Sequence, residues 1–242
     1  MERLLLSTQP DPVNHPWSAE MPLSDKEIKS ALEAGALKIE PIIDENIRPS
    51  SYDVTLGNEL AYFVGNEPID LSVDPSPRTE RHDLTVSPYV IPPNGFVLGS
   101  VREWIEFGPY CGFISTRTTY ARMGLLFSVS NYANPGYKGN LPLAIANLSG
   151  LPVTLTKGLR VAQVVFLRTG EVERPYSQLP DAKYLGERGV SLPKPHLDRE
   201  IQQALSSLGL RGWRMREAQR LIDEKTDKIA ETVVGQFTRS VE

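Results

Sequence analysis

The sequence has a single cysteine, Cys111, in 242 residues. That excludes an intrachain disulfide framework and any multi-cysteine metal site, and it fits a reducing cytoplasm. Histidine is nearly as scarce: His15, His82 and His196 are scattered, with no H-x-E or C-x-x-C pattern nearby. A zinc deaminase site, which activates a metal-bound water, is thereby excluded. Long hydrophobic runs are missing as well. Leu4-Leu5-Leu6 is far too short for a membrane span and no signal-peptide pattern follows it, so the expected location is cytoplasmic, with no membrane partner. Positive charge is not in excess either. A net charge of −4 argues against a nucleic-acid polymer as partner, because a phosphate backbone demands a strongly basic surface; a triphosphate needs only a few local cations.

What is present is ordinary for a globular protein, 40% hydrophobic and 23% charged, in a chain long enough to bury a full core. Residues 1–22 carry Pro10, Pro12, Pro16 and Pro22 and no periodicity, which reads as an irregular arm. Ser24-Asp25-Lys26-Glu27 is a capping box; Ile28, Ala31 and Leu32 give one apolar face and Gly35 a stop, predicting a short helix. From about residue 37 to 170 short β-branched and aromatic runs alternate with Gly, Pro, Asn and Asp. Tyr52–Leu56, Leu60–Val64, Tyr89–Ile91, Phe96–Leu98, Cys111–Ser115, Leu125–Val129, Leu141–Ala146, Pro152–Leu155 and Val161–Leu167 are the expected strands. Many short strands at that spacing predict a mainly β sandwich, jelly roll or closed barrel. Residues 65–88 read as a long polar excursion, with room for a hairpin. Asp198–Leu208 and Trp213–Phe237 read as two helices, the second with an apolar stripe through Met215, Ala218, Ile222, Ile229, Val233 and Phe237 that faces its own barrel or a neighbouring subunit.

Three segments carry chemistry. In Arg117-Thr118-Thr119-Tyr120-Ala121-Arg122 two arginines flank two hydroxyls at a strand end. Guanidinium forks and hydroxyls suit phosphate oxygens, and surface arginines equally form ion pairs with carboxylates. In Asn134-Pro135-Gly136-Tyr137-Lys138-Gly139 a Pro-Gly turn presents the Tyr137 ring, to a ligand or to cross-strand packing. The stretch from Pro175-Tyr176 through Asp181–Gly189 is a glycine-punctuated lid over an anion, or a solvated loop.

The order and spacing of these segments resemble the dCTP deaminase/dUTPase family. Leu23–Ile28 with Gly35 looks like its opening helix, and Pro49–Asn58 is similar to its P-S-S-x-D-x-x-L-G-N strand. Leu98-Gly99-Ser100 with Glu103, Arg117–Leu125, Pro135–Gly139, Gly158–Gln163 with Phe166, Arg174-Pro175-Tyr176 and Asp181–Tyr184 continue the match, which covers roughly residues 23–193. The resemblance implies a distorted jelly-roll or β-barrel of dUTPase-like type at 23–193, with a lid at 171–193 and a C-terminal helical extension at 198–242. It also implies a homotrimer with active sites between subunits and a deoxynucleoside triphosphate ligand, dCTP or dUTP. Magnesium is expected to travel with the triphosphate, with no protein-held metal site.

Carried over residue by residue, Arg117 and Thr119 hold phosphate oxygens, and Tyr176 and Lys183 reach the triphosphate from the lid. Thr118 and Arg122 stand beside the reacting base. Tyr137 lies under the deoxyribose, and Gln163 joins the nucleotide-binding positions. The departures are Ala144, where the resemblance implies the glutamate that activates water; Asn134, where it implies an aspartate; Glu187, where it implies a glutamine; and a run before Pro135 one residue short. A methyl or carboxamide is no general base at neutral pH, and losing one lowers a rate by about 10²–10⁴. The expectation therefore divides between a dCTP deaminase giving dUTP and ammonia, a catalytically impaired nucleotide-binding sensor or regulatory module, and a related reaction on another nucleotide.

Overall fold

The computed structural model describes residues 22–127 and 132–207. The expected N-terminal arm, apart from Pro22, and the expected helix Trp213–Phe237 lie outside them. The described residues fall into two compact units, 22–66 with 76–192 and 67–75 with 193–207. In the second unit a helix, Arg199–Ser207, occupies the stretch expected over 198–208.

The first unit opens with α1 (Asp25–Glu33), whose capping box forms as expected. The Ser24 hydroxyl accepts from the Glu27 amide while the Glu27 carboxylate accepts from the Ser24 amide, and Ile28 and Ala31 are buried. The strands follow as β1 (Lys38–Glu40), β2 (Ile47–Arg48), β3 (Ser51–Thr55), β4 (Glu59–Phe63) and β5 (Thr79–Asp83). Next come β6 (Tyr89–Ile91), β7 (Phe96–Glu106), β8 (Tyr110–Thr116), the short α2 (Thr118–Ala121) and β9 (Leu125–Phe127). The last four are β10 (Tyr132–Ala133), β11 (Lys138–Asn147), β12 (Val153–Leu155) and β13 (Arg160–Arg168). The polar excursion holds one strand, β5, which pairs with β4 just before it.

This is the mainly β, jelly-roll-like architecture expected, although its sheets do not close into one barrel. One sheet runs β5-β4-β7-β11-β9, with β1 also on β7; a second runs β10-β8-β13-β3-β2; β6 and β12 make a small third. The first two meet at a bridge between Leu56 and Val101. Period-2 alternation builds the core between them. In β11 Leu141, Leu143 and Ile145 are buried while Pro142, Ala144 and Ala146 face outward. The core is completed by Tyr52, Val54, Val101, Ile105, Val164 and Phe166, and by a Phe107 ring 5.6 Å from Phe166. Buried Asn147 ties the small sheet to the end of β11, its amide nitrogen donating to the carbonyls of Ile91, Pro92 and Leu151.

One acid lies inside this core. Glu103 of β7 is fully buried; its Oε2 accepts from the Thr55 amide at 2.9 Å, while Oε1 has no hydrogen-bond partner among the described residues. Desolvation outweighs the Thr55 amide and the Arg102 guanidinium at 3.8 Å, so burial pushes the Glu103 carboxyl above its ordinary value. An acid raised in the folded state adds stability that is present below its unfolded pKa and is lost as pH rises through the folded one. Glu103→Gln, which keeps an acceptor for Thr55, is expected to flatten the decline of unfolding free energy as pH rises above the ordinary carboxylate range. Urea unfolding at a series of pH values above that range checks it, and an unchanged slope refutes it.

Candidate functional site

The segment Arg117–Arg122 lies where β8 ends. The Arg117 amide donates to the Val161 carbonyl at 3.0 Å, holding the end of β8 against β13. Thr118 and Thr119 begin α2 with exposed side chains, and Arg122, also exposed, caps its C-terminus. Cross-strand register puts Gln163 of β13 beside Ser115 of β8 on one side and Asp53 of β3 on the other. All three belong to the sheet face opposite to core residues Tyr52, Val54, Ile114 and Val164.

Asp53 is the centre of charge here. It is 2% exposed, and Arg48 Nε donates to its Oδ2 at 2.9 Å. The same oxygen is 3.6 Å from Arg160 Nη1 and 3.7 Å from Arg117 Nε. Arg117 Nη1 also donates to the Arg160 carbonyl at 3.1 Å, and Arg160 Nη1 to Asn46 Oδ1 at 3.4 Å. A register shift between Arg160 and Ala162 lets β13 bend at this point. Of Asp53 and its three arginines, Arg117 alone has a role legible in the sequence; Asp53 and Arg160 stand only within matched motif runs, and Arg48 in none. The legible signal was two opposite charges flanking a Pro-Ser turn between short strands, at Arg48 and Asp53, with Arg160 in the Gly158–Gln163 run.

A second cluster forms on the hairpin between β10 and β11. Asn134 is exposed and Pro135 buried, and the Asn134 carbonyl accepts from the Tyr137 amide at 3.1 Å to close the turn. The Tyr137 ring is buried, 6.1 Å from Phe107 and 5.8 Å from Tyr176. Burial, with Tyr176 and Glu187 nearby, pushes its phenol far above the ordinary value, so Tyr137 is neutral. Segment 175–189 is docked on this hairpin by its backbone. The Tyr176 amide donates to the Pro135 carbonyl at 2.8 Å, Gly186 to Lys138 at 2.8 Å, and the Asn140 amide to the Glu187 carbonyl at 3.0 Å.

Both hairpin glycines are required by that docking. Gly136 has φ +79°, and a Cβ there would stand 2.7 Å from Pro175 Cβ; Gly139 has φ +147°, and a Cβ there would stand 3.0 Å from the Glu187 carbonyl oxygen. Asn140 is the latch, a residue the sequence reading did not pick. Its Nδ2 donates to the carbonyls of Arg102 and Glu103 at 3.1 Å each, and its Oδ1 accepts from the Gly189 amide at 3.0 Å. Arg188 adds a cation–π contact 4.2 Å from the Trp104 ring centroid. The Glu187 carboxylate accepts from the Ser191 hydroxyl at 2.9 Å, and Lys183 Nζ lies 5.6 Å from the Tyr184 ring centroid.

Ala144 is in the middle of β11 on the outward face, directly opposite Leu98. Ala146 beside it faces Phe96 on β7 and Leu126 on β9. The position is therefore set in an apolar strip with no acid at the cross-strand position on β7. Among the described residues no group of three or more His, Cys, Asp and Glu side chains is arranged to hold a metal, and no helix is long and apolar enough to cross a membrane.

Residues 22–169 match the family model described as dCTP deaminase-like. A protein of Methanopyrus kandleri named dCTP deaminase, dUMP-forming, is 36% identical over 187 residues, covering 73% of this chain and 96% of its own. The protein of the same name from Aquifex aeolicus is 32% identical over 183 residues, covering 75% of this chain and 99% of its own. The solved 2'-deoxycytidine 5'-triphosphate deaminase of Agrobacterium tumefaciens superposes with a TM-score of 0.50 at 19% identity, over 62% of this chain and 49% of that one. The chain thus spans about half the length of that solved relative, and the likeness supports the fold.

Gly136→Ala and Asn140→Ala are each expected to undock segment 175–189. Limited proteolysis followed by mass spectrometry should show faster cleavage within 171–193 than in the unaltered chain. Equal cleavage rates would mean that neither residue holds the segment down.

Proposed function

The chain belongs to the dCTP deaminase-like family, and on that footing we propose that it binds a deoxynucleoside triphosphate, dCTP or dUTP, without carrying out ordinary deamination. Arg117 and Thr119 take phosphate oxygens, with Tyr176 and Lys183 closing from the docked segment. Tyr137 lies under the deoxyribose, where its ring leaves no space for a ribose 2′-hydroxyl. Thr118 and Arg122 stand beside the base, and Gln163 and Glu187 complete the nucleotide-binding positions. Magnesium comes bound to the triphosphate and neutralises its charge.

The observation that carries this reading is the environment of Ala144. Deamination of dCTP adds water at C4 of cytosine and expels ammonia, so a base must take a proton from the water and return one to the leaving nitrogen. A methyl group opposite Leu98 does neither, and the Asn134 carboxamide is no substitute. Hydrolytic conversion of dCTP to dUTP, the enzyme reading, therefore needs a carboxylate supplied from elsewhere.

A homotrimer with sites between subunits is part of the same proposal. The outer face of the second sheet carries Phe113 and Tyr132, 45% and 46% exposed, edge to face with centroids 5.3 Å apart. Aromatic side chains that open to water are what a subunit interface would cover. Light scattering of the full chain is expected to give three times the chain mass, and a clean monomer would overturn the shared-site reading.

For the chemistry, dCTP with magnesium is incubated at high protein concentration and both dUTP and dUMP are followed by anion-exchange chromatography. No product is expected from the chain as it stands, and Ala144→Glu is expected to raise the rate by at least about a hundredfold over that background. Product from the unaltered chain would refute the loss of chemistry and turn attention to Glu187 as the base.

A further inference from the structure

One carboxylate needs only one guanidinium, yet Asp53 has three. Arg48 alone makes a hydrogen bond to it, at 2.9 Å, and so meets the need of a buried acid. Arg160 and Arg117 stand at 3.6 and 3.7 Å, beyond good hydrogen-bond length. Like charges crowded around one oxygen repel each other, and the ion pair with Asp53 offsets only part of that repulsion. Among the described residues no other acid is within ion-pairing distance of Arg48, Arg117 or Arg160. The cluster therefore carries a net charge of about +2 on a chain whose overall charge is −4.

The donors are not used up. A guanidinium offers five N–H groups, and the protein hydrogen bonds of these three engage one nitrogen on each. The side chains keep 39%, 30% and 40% of their surface, for Arg48, Arg117 and Arg160 in turn, while Asp53 beneath them keeps 3%. Three planar forks, fixed from below and open above, suit an anion with several oxygens and several charges. Thr118 and Thr119 follow Arg117 directly in the chain, with exposed side chains.

We propose that Arg48 and Arg160 join Arg117 in a polyphosphate clamp, and that Asp53 is its positioning residue, holding three guanidiniums where their own repulsion would part them. The inference deepens the reading of this site as a nucleotide site and rests on it for the nucleotide. It adds that discrimination is by charge, a triphosphate strongly preferred to a monophosphate, with two arginines beyond the single one marked by the sequence pattern.

Calorimetric titration of the full chain tests it, using dCTP, dCMP and inorganic tripolyphosphate with magnesium at low and high salt. Arg48→Gln and Arg160→Gln are each expected to weaken dCTP and tripolyphosphate by about tenfold, to weaken dCMP far less, and to reduce the salt dependence. Asp53→Asn separates positioning from plain electrostatics. Removing a negative charge should tighten an anion if charge alone mattered, whereas loss of positioning weakens it, with Asp53→Glu recovering part of the affinity. Circular dichroism confirms that each variant is folded, and the two exposed arginine variants carry the test if Asp53→Asn is not. If the unaltered chain binds dCTP and both arginine variants bind it equally well, the clamp is overturned while the nucleotide reading stands. Arginine-dependent binding of tripolyphosphate without binding of dCTP keeps the clamp and overturns the nucleotide reading. Binding of neither overturns both.

Discussion

The long antiparallel ladder between β7 and β11 fixes everything on the hairpin side of the site. At one end Lys138 faces Glu106, next to the turn that carries Tyr137; at the other Ala146 faces Phe96. Because side chains alternate, a slip of one residue would exchange Ala144 with Ile145 and turn the buried face of β11 to solvent. The core penalises that strongly, since Leu141, Leu143 and Ile145 are each 2% exposed or less. The one irregularity, between Asn140 and Pro142, comes just where Asn140 reaches the carbonyls of Arg102 and Glu103 and the amide of Gly189. The extra residues are on β7, where Val101, Arg102 and Glu103 lie opposite the single residue Leu141, and Asn140, paired with Trp104 beside them, joins β7 to the docked segment. Docking of segment 175–189 is in this sense a consequence of strand register.

The other side of the site depends on a buried charge. A carboxylate at 2% exposure is tolerable only when paired, and removing its partner would cost about 3–5 kcal/mol. Arg48 is thus held by the fold itself. Arg117 and Arg160 answer to weaker constraints: each is within ion-pair distance of Asp53, and each makes its firmer hydrogen bond to a neighbouring carbonyl or amide oxygen. Burying the acid rather than the bases leaves the cations facing water. That arrangement gives an anion site its field without leaving an unpaired charge in the core.

How much of this was legible beforehand follows from the range of each interaction. The capping box of α1 involves residues three apart, and Ser24 and Glu27 announce it outright. Most expected strands appear, but Phe96–Leu98 runs on to Glu106, because Gly99 and the charged pair Arg102-Glu103 interrupt a pattern that tertiary pairing sustains. The two-residue strands Ile47–Arg48 and Tyr132–Ala133 have no periodicity to read at all. In the site, the chemistry-bearing runs at 117–122 and 134–139 were visible because their residue types and turn glycines are local. Asp53 was marked only as a motif residue, without its role as a charge centre, and Asn140 was not marked at all. Their roles come from contacts to residues as far off as Arg160 and Arg102, and a polar residue inside a strand run gives no local sign of which partner satisfies it.

In the proposed reading, binding and chemistry rest on different structural supports, so that one could persist without the other. Position 144 points outward from β11 beside Ala146 and opposite Leu98, so a small side chain there leaves the core untouched. Exchange of an acid for alanine at such a position removes a proton acceptor and little else, since outward positions away from packed contacts contribute little to stability. Arg48 has no such freedom, because buried Asp53 loses its hydrogen-bonded counter-charge if it goes. Tyr137 is tied likewise, packed between Phe107 and Tyr176 under a docked segment that Gly136 and Gly139 alone make room for. In the proposed reading, stability therefore holds Arg48, Asp53 and Tyr137 in place, whereas nothing in the core constrains position 144.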